Sequence, residues 1–181
     1  MKAAIWSMGL ILALLGSVSG QDDGNGRRFG VAVNPAFALF NYGSAEVNLW
    51  HLDRHSEINI PIEVARNPFM IDDDDGTDIG YFATGVNYRR FFRNDQEGLF
   101  AQAGWKFSRI SVSNTLDEVT GSSNALMFGI GYRVMADNGF FWGMGINVGR
   151  QWGVVTDLNG DEIRGDGLAL DVDLLKFGFA W

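Results

Sequence analysis

Residues 168–181, LALDVDLLKFGFAW, constrain the fold of this chain more than any other stretch. Leu175, Phe177, Phe179 and Trp181 occupy alternate positions there. Successive side chains of a β-strand point to opposite faces, so these four residues share one face of a predicted strand. The stretch therefore predicts a strand with one strongly apolar face.

Seven more segments show the same alternation of large apolar side chains with small or polar ones. In the clearest segment, Leu126, Phe128 and Ile130 alternate with alanine, methionine and glycine. The eight predicted strands cover residues 28–40, 45–52, 57–66, 80–92, 99–112, 124–136, 140–154 and 168–181. The pattern predicts an all-β chain whose strands are joined in sequence.

Two irregularities interrupt this alternation. Pro35 cannot donate to a ladder, so a bulge or local gap is expected in the first strand. In the last strand the apolar parity changes between Leu174 and Leu175, which predicts a β-bulge at that point.

The predicted connections alternate in length, apart from the first, at 41–44. Short ones at 53–56, 93–98 and 137–139 alternate with longer ones at 67–79, 113–123 and 155–167. A membrane barrel with short periplasmic turns and longer outer loops has this arrangement.

The composition of the two strand faces distinguishes two kinds of barrel. A soluble barrel such as a lipocalin has large apolar side chains inside and polar ones outside. Here the face opposite the large apolar residues is mostly glycine, alanine and asparagine, which suits a narrow interior better than a water-facing surface. We therefore expect the apolar face to contact lipid, with a soluble periplasmic barrel as the alternative.

The first residues have the pattern of a secretory signal peptide. Lys2 precedes the apolar run 3–16, and small residues follow at 18–20. We predict a signal peptide over 1–20, a flexible periplasmic leader over 21–28 and the barrel over 29–181. The chain has no cysteine, so no disulfide framework is expected.

The terminal strand and the eight alternating segments together resemble the small eight-stranded bacterial outer-membrane β-barrel superfamily, which includes the OmpA transmembrane domain, OmpX, NspA and OmpW. The resemblance implies an eight-stranded antiparallel up-and-down transmembrane β-barrel in the outer membrane of a Gram-negative cell. It also implies that Leu175, Phe177, Phe179 and Trp181 form a C-terminal assembly signal for the barrel-assembly machinery. Fold alone does not imply activity.

Charged residues on the predicted inner face are the candidate site. They are Glu46, Glu57, Glu63, Arg89, Lys106, Arg133, Asp171 and Asp173. By strand direction, Glu57, Arg89 and Arg133 should lie toward the periplasmic end, and Glu46 should lie higher. An eight-stranded barrel is just wide enough for side chains, so a polar plug of paired charges is expected. A narrow path for ions or very small solutes is the alternative.

An enzyme is the second alternative, because some small barrels remodel lipid A. The lipid A deacylases resembling PagL use a histidine and a nearby serine close to the external interface. The two histidines, His51 and His55, with Ser56 beside the latter, fall near the predicted periplasmic end. That is the wrong side for a substrate in the outer leaflet, so we expect no enzymatic activity.

Two acidic loop stretches could bind calcium, which prefers oxygen ligands. One is 72–75 with Asp78, and the other contains Asp157, Asn159, Asp161 and Glu162. Solvated acidic loops are the simpler interpretation, because the second stretch lacks the spacing of an EF-hand. The sequence has no phosphate-binding glycine loop, zinc-ligand spacing or nucleophile elbow, so we predict no cofactor and no metal site.

The sequence as a whole predicts a non-enzymatic outer-membrane protein with a structural role in the envelope or a surface-interaction role through its outer loops. The net charge of −8 argues against a nucleic-acid partner. The expected partners are outer-membrane lipids and lipopolysaccharide, the assembly machinery, and an unidentified surface ligand.

Overall fold

The computed structural model describes residues 29–35, 41–50, 55–67, 78–93, 96–113, 118–156 and 162–181. Its strands are β1 Phe29–Val33, β2 Tyr42–Trp50, β3 Ser56–Arg66, β4 Asp78–Phe91, β5 Gly98–Ser113, β6 Glu118–Met135, β7 Phe140–Thr156 and β8 Glu162–Ala180. The predicted signal peptide and leader, 1–28, lie outside the described residues. In the part of the chain that is described, no helix is long and apolar enough to cross a membrane.

The eight strands form one closed antiparallel barrel in which each strand pairs with its neighbours in sequence. The ring closes between β1 and β8, where Gly30 lies opposite Ala180. Phe29 and Trp181 add two backbone hydrogen bonds of 2.9 and 3.2 Å. The predicted eight-stranded up-and-down architecture is thus confirmed. We call the end of the barrel that holds Phe29 and Trp181 the terminal end, and the opposite end the loop end.

The strands at the loop end are longer than the sequence predicts. Residues 118–123 and 162–167 were expected in loops but belong to β6 and β8. Both stretches are polar, but they still pair because the hydrogen bonds of a β-ladder join backbone N–H and C=O groups and do not depend on the side chains. Residues 42–44, expected in a turn, pair with β3 instead. Within the described residues β1 ends at Val33, and 36–40 of the predicted first strand lie outside them.

The predicted bulge in the last strand is confirmed. Gly143 lies opposite Lys176 and Gly145 opposite Asp173, so β8 contains one residue more than β7 across this interval. Leu175 takes a left-handed conformation with φ of 50°. The extra residue reverses the inward and outward parity of β8. Asp173 and Lys176, three positions apart, are therefore both inside the barrel.

The two faces of the sheet have the composition that the sequence predicts. Large apolar side chains point outward, and Phe128 and Ile130 are 62% and 58% exposed. Polar side chains fill the inside, where Glu57 and Asn59 are fully buried. This polarity is the reverse of that expected for a barrel that folds in water.

Interior aromatic rings cover glycines at the terminal end. A Cβ added to Gly178 would overlap the ring of Phe141, and one added to Gly131 would overlap the ring of Phe100. Phe91 and Phe100 pack with ring centroids 5.2 Å apart. Phe91, Phe100 and Phe141 are buried and form what we call the aromatic floor.

Candidate functional site

A buried ion cluster lies directly above the aromatic floor. Arg89, on β4, binds two carboxylates. Its Nη1 donates to Glu57 Oε1 over 2.8 Å, and its Nη2 donates to Glu46 Oε2 over 3.1 Å. Its Nε donates to Gln102 Oε1 over 2.6 Å. The guanidinium thus joins strands β2, β3 and β5 across the lumen.

Arg133 connects this cluster to the aromatic floor. Its Nη1 and Nη2 donate to the two oxygens of Glu57 over 2.5 and 3.1 Å. Its guanidinium also lies over the rings of Phe91 and Phe141, at 5.0 and 4.5 Å from their centroids. Fork-like hydrogen bonding and stacking on aromatic rings are both properties of arginine that lysine lacks.

Lys176 is an interior cation that the side-chain alternation did not predict. Its Nζ lies 2.6 Å from Glu46 Oε2 and 2.9 Å from Asp173 Oδ2. The predicted bulge could have identified it, because a parity change at 174–175 turns residue 176 inward. With Lys176 included, this lower ion cluster has three carboxylates and three cations, namely Glu46, Glu57 and Asp173 with Arg89, Arg133 and Lys176.

A row of amides lies beside the lower ion cluster. Asn87 donates to Asn59, and Asn59 donates to Asn48, each over 3.0 Å. On the other side of the lumen, Gln102 donates to Asn147. Buried amides with partners in fixed positions hold the facing strands at one separation.

A second, smaller ion cluster lies nearer the loop end. Lys106 Nζ is 2.7 Å from Glu63 Oε2 and 3.0 Å from Asp171 Oδ2. Tyr42 and Tyr81 both donate to Glu63. This upper ion cluster, Glu63, Lys106 and Asp171, has one carboxylate more than it has cations.

Empty space is distributed very unevenly along the barrel. At the loop end, cavities of about 490 and 250 Å³ adjoin and share Tyr81, Ser108, Ser123 and Gln151 in their walls. The deeper of the two reaches down to Lys106. Below it, the described side chains leave spaces of only about 20 and 10 Å³. A water molecule needs about 10–15 Å³, so each of these two spaces has room for about one water.

The chain matches no protein-family model, no curated protein and no solved structure.

All eight predicted inward charges lie inside the barrel and belong to one of the two ion clusters. Glu46 belongs to a different ion cluster from the one expected. The sequence placed it with the upper charges, but its carboxylate is bound by Arg89 and Lys176 of the lower ion cluster. Long cationic side chains can extend along the lumen and bind a carboxylate several residues away. The direction of a strand does not predict such contacts.

Two residues of the alternative enzymatic prediction, His55 and Ser56, lie at the terminal end. His51 is outside the described residues. His55 Nδ1 lies 3.3 Å from the Phe91 carbonyl oxygen. Ser56 Oγ bonds with the Tyr88 hydroxyl over 2.8 Å and accepts a hydrogen bond from Arg90 over 2.7 Å.

The acidic stretches 72–75 and 157–161 lie outside the described residues. Among the residues that are described, no group of three or more histidine or acidic side chains is placed to hold a metal ion. Asp78, at the rim of the loop end, instead accepts two hydrogen bonds from Arg66, which lower the pKa of its carboxyl below the ordinary value.

The four residues of the predicted assembly signal lie along the outer face of β8 and just beyond it. Phe179 stacks on Trp181 with ring centroids 6.2 Å apart, and Trp181 meets Phe29 edge-on at 5.0 Å. Phe177 stacks on Phe140 of β7. Leu175 is half exposed on the same face. Their recognition by the assembly machinery stays a prediction.

Proposed function

We propose that this chain is an outer-membrane β-barrel protein of the small eight-stranded superfamily, with a sealed lower lumen and no enzymatic activity. Its role would be structural, or would lie in contacts made at the cell surface by its loop end. The terminal end would face the periplasm. The observation that carries the proposal is the inverted polarity of the barrel, apolar outside and charge-paired inside.

The energetics of burial support lipid as the surrounding medium. Burying apolar surface contributes about 25 cal/mol per Å², so outward side chains such as Phe128 would lose stabilisation in water and gain it in a bilayer. The ring closes where residues 30–33 of β1 pair with 177–180 of β8, and closure into a barrel is the way that strands span a bilayer.

The lower ion cluster supports a sealed barrel rather than a pore. Its six charges balance, and each of the two spaces around it has room for about one water. A hydrated ion could pass only if these ion pairs separated. A narrow channel for ions or very small solutes is therefore the alternative, and conductance distinguishes the two.

The cavity at the loop end supports a surface role. Its wall combines hydroxyl, amide, carboxylate and apolar groups. Such a recess could take part of a surface ligand without letting it through. A lipid A-modifying enzyme has less support, because His55 and Ser56 lie at the end opposite the proposed outer surface.

Two measurements on the refolded mature chain test the membrane assignment. Electrophoresis in mild detergent should give faster migration before boiling than after it. In vesicles, lipids brominated along their acyl chains should quench the fluorescence of tryptophan, because Trp105 and Trp152 are 40% and 41% exposed on the outer face. A chain that is soluble without detergent and unquenched in vesicles would overturn the proposal, and a soluble periplasmic barrel would replace it.

A further inference from the structure

The outer face of the barrel changes from mainly apolar to largely polar near the loop end, and we call this boundary the outer line. On β5, Trp105 and Phe107 are followed on the same face by Arg109 and Ser111. On β3, Val64 is followed by Arg66. On β6 and β8, Leu126 and Leu168 are followed toward the loop end by Asn124 and Asp166 on the same face. On β7, Trp152 continues beyond Arg150 on the outer face.

Three of the four arginines on this outer line have carboxylate partners. Arg66 pairs with Asp78 at 2.7 Å, Arg150 pairs with Asp166, and Arg164 lies 3.6 Å from Glu162. Arg109 is exposed and, among the residues that the structure describes, forms no ion pair or hydrogen bond through its side chain.

The strand register surrounds Arg109 with neutral groups. Directly opposite are Phe82 on β4 and Ser122 on β6. Ser111 follows on the same strand, and Thr120 and Asn124 flank Ser122. Directly opposed side chains are about 5 Å apart at Cβ, and diagonal neighbours about 7–8 Å apart. The nearest outward carboxylates on these strands are those of Asp78 and Glu118, both opposite Ser113.

We propose that this Arg109 patch, comprising Arg109, Ser111, Thr120, Ser122 and Asn124, binds a phosphate group of lipid A in the outer leaflet. The inference rests on the proposed function, because that places the line of polar residues at the outer lipid–water interface. Arginine binds phosphate through parallel N–H groups, and hydroxyl and amide side chains add neutral donors. The acyl chains would lie on Phe82, Phe107 and the apolar band below.

The occupant is a lipid rather than a dissolved phosphate compound because the patch is continuous with the apolar surface. Phe82, directly opposite Arg109, is 42% exposed, and Leu126, next to Asn124 on the outer face of β6, is 50% exposed. A headgroup phosphate bound at Arg109 therefore brings its chains onto surface that is already apolar. A free phosphate ion gains nothing from that surface.

Native mass spectrometry of the refolded protein in detergent tests the proposal. Wild-type protein titrated with bisphosphorylated lipid A should retain one molecule more than it does with the same lipid after phosphatase treatment. Arg109→Gln should weaken that binding by about tenfold to a hundredfold, since a hydrogen bond to a charged group contributes about 1.5–3 kcal/mol. Inorganic phosphate should not displace the lipid.

Arg66→Gln is the matched control, because it removes an arginine from the same line that already has a carboxylate partner. It should leave the binding within about twofold, in keeping with the small energies of exposed ion pairs. Equal losses in both variants, or none in Arg109→Gln, would overturn the patch. Heat-modifiable migration and lipid quenching on the same samples report the barrel separately, so loss of those signals would count against the proposed function instead.

Discussion

Lys176 Nζ lies 2.6 Å from Glu46 Oε2, a contact between the last strand and the second that spans 130 residues of sequence. Lys176 faces inward only because β8 contains one extra residue at 174–175. Arg89 binds the same carboxylate from a third strand. The ammonium group of Lys176 therefore depends on the bulge for its inward position. It also balances the charge of the lower ion cluster and connects the last strand to the second.

Lys176→Met should lower the free energy of unfolding by about 3–5 kcal/mol. The substitution removes one partner of a buried pair and leaves Glu46 and Asp173 short of positive charge. Methionine keeps most of the length of the side chain, so the effect reports charge rather than volume. Urea titration in phospholipid vesicles, followed by tryptophan fluorescence, measures it.

Arg150→Gln is the control for that experiment. Arg150 and Asp166 also form an ion pair, but their side chains are 77% and 57% exposed. Exposed pairs contribute about 0–1 kcal/mol, so this variant should unfold almost as wild type does. A Lys176→Met protein as stable as Arg150→Gln would mean that Glu46 is adequately compensated by Arg89 alone.

Deleting Leu175 should prevent formation of the barrel. Without the extra residue, either Asp171 and Asp173 or Phe177 and Phe179 must turn to the wrong face, because a slip of one position exchanges the faces of a strand. Electrophoresis without boiling should then show only the slower, unfolded band. Leu175→Ala keeps the residue count and should still migrate as a folded barrel, so folding of the deletion variant would contradict the role given to the bulge.

Gly149→Ala should destabilise the barrel by about 1–3 kcal/mol. A Cβ at Gly149 would overlap the Leu126 carbonyl oxygen and lie 2.9 Å from Met127 Cα, and both are backbone atoms that cannot move alone. Gly165, also on the inner face, has nothing within 4 Å of an added Cβ. Gly165→Ala should be neutral or slightly stabilising in the same urea titration. Equal effects at the two positions would show that close strand approach is not the reason for glycine.

The fold and most of the interior followed from the alternation of side chains, and the failures have physical causes. The inward position of Arg89 or Glu57 follows from parity within one strand. Lys176 points inward because the bulge reverses the alternation of β8. The cluster to which Glu46 belongs depends on which cationic side chains reach its carboxylate. The extent of β6 and β8 was underestimated because their polar ends pair through the backbone, which side-chain patterns do not report.

The lower ion cluster should keep the wild-type protein closed in planar bilayers, and Arg89→Ala should open it. Removing this side chain separates Glu46 from Glu57 and joins the small spaces below Lys106 to the cavities above. The inward charges of the described strands would then be five carboxylates and three cations, so the current should favour cations. Arg109→Gln, on the outer face, should stay closed. If the wild-type protein conducts as steadily as Arg89→Ala, the lower ion cluster does not seal the barrel and a channel is favoured. Electrophoresis without boiling should show that each variant used in the recordings is folded.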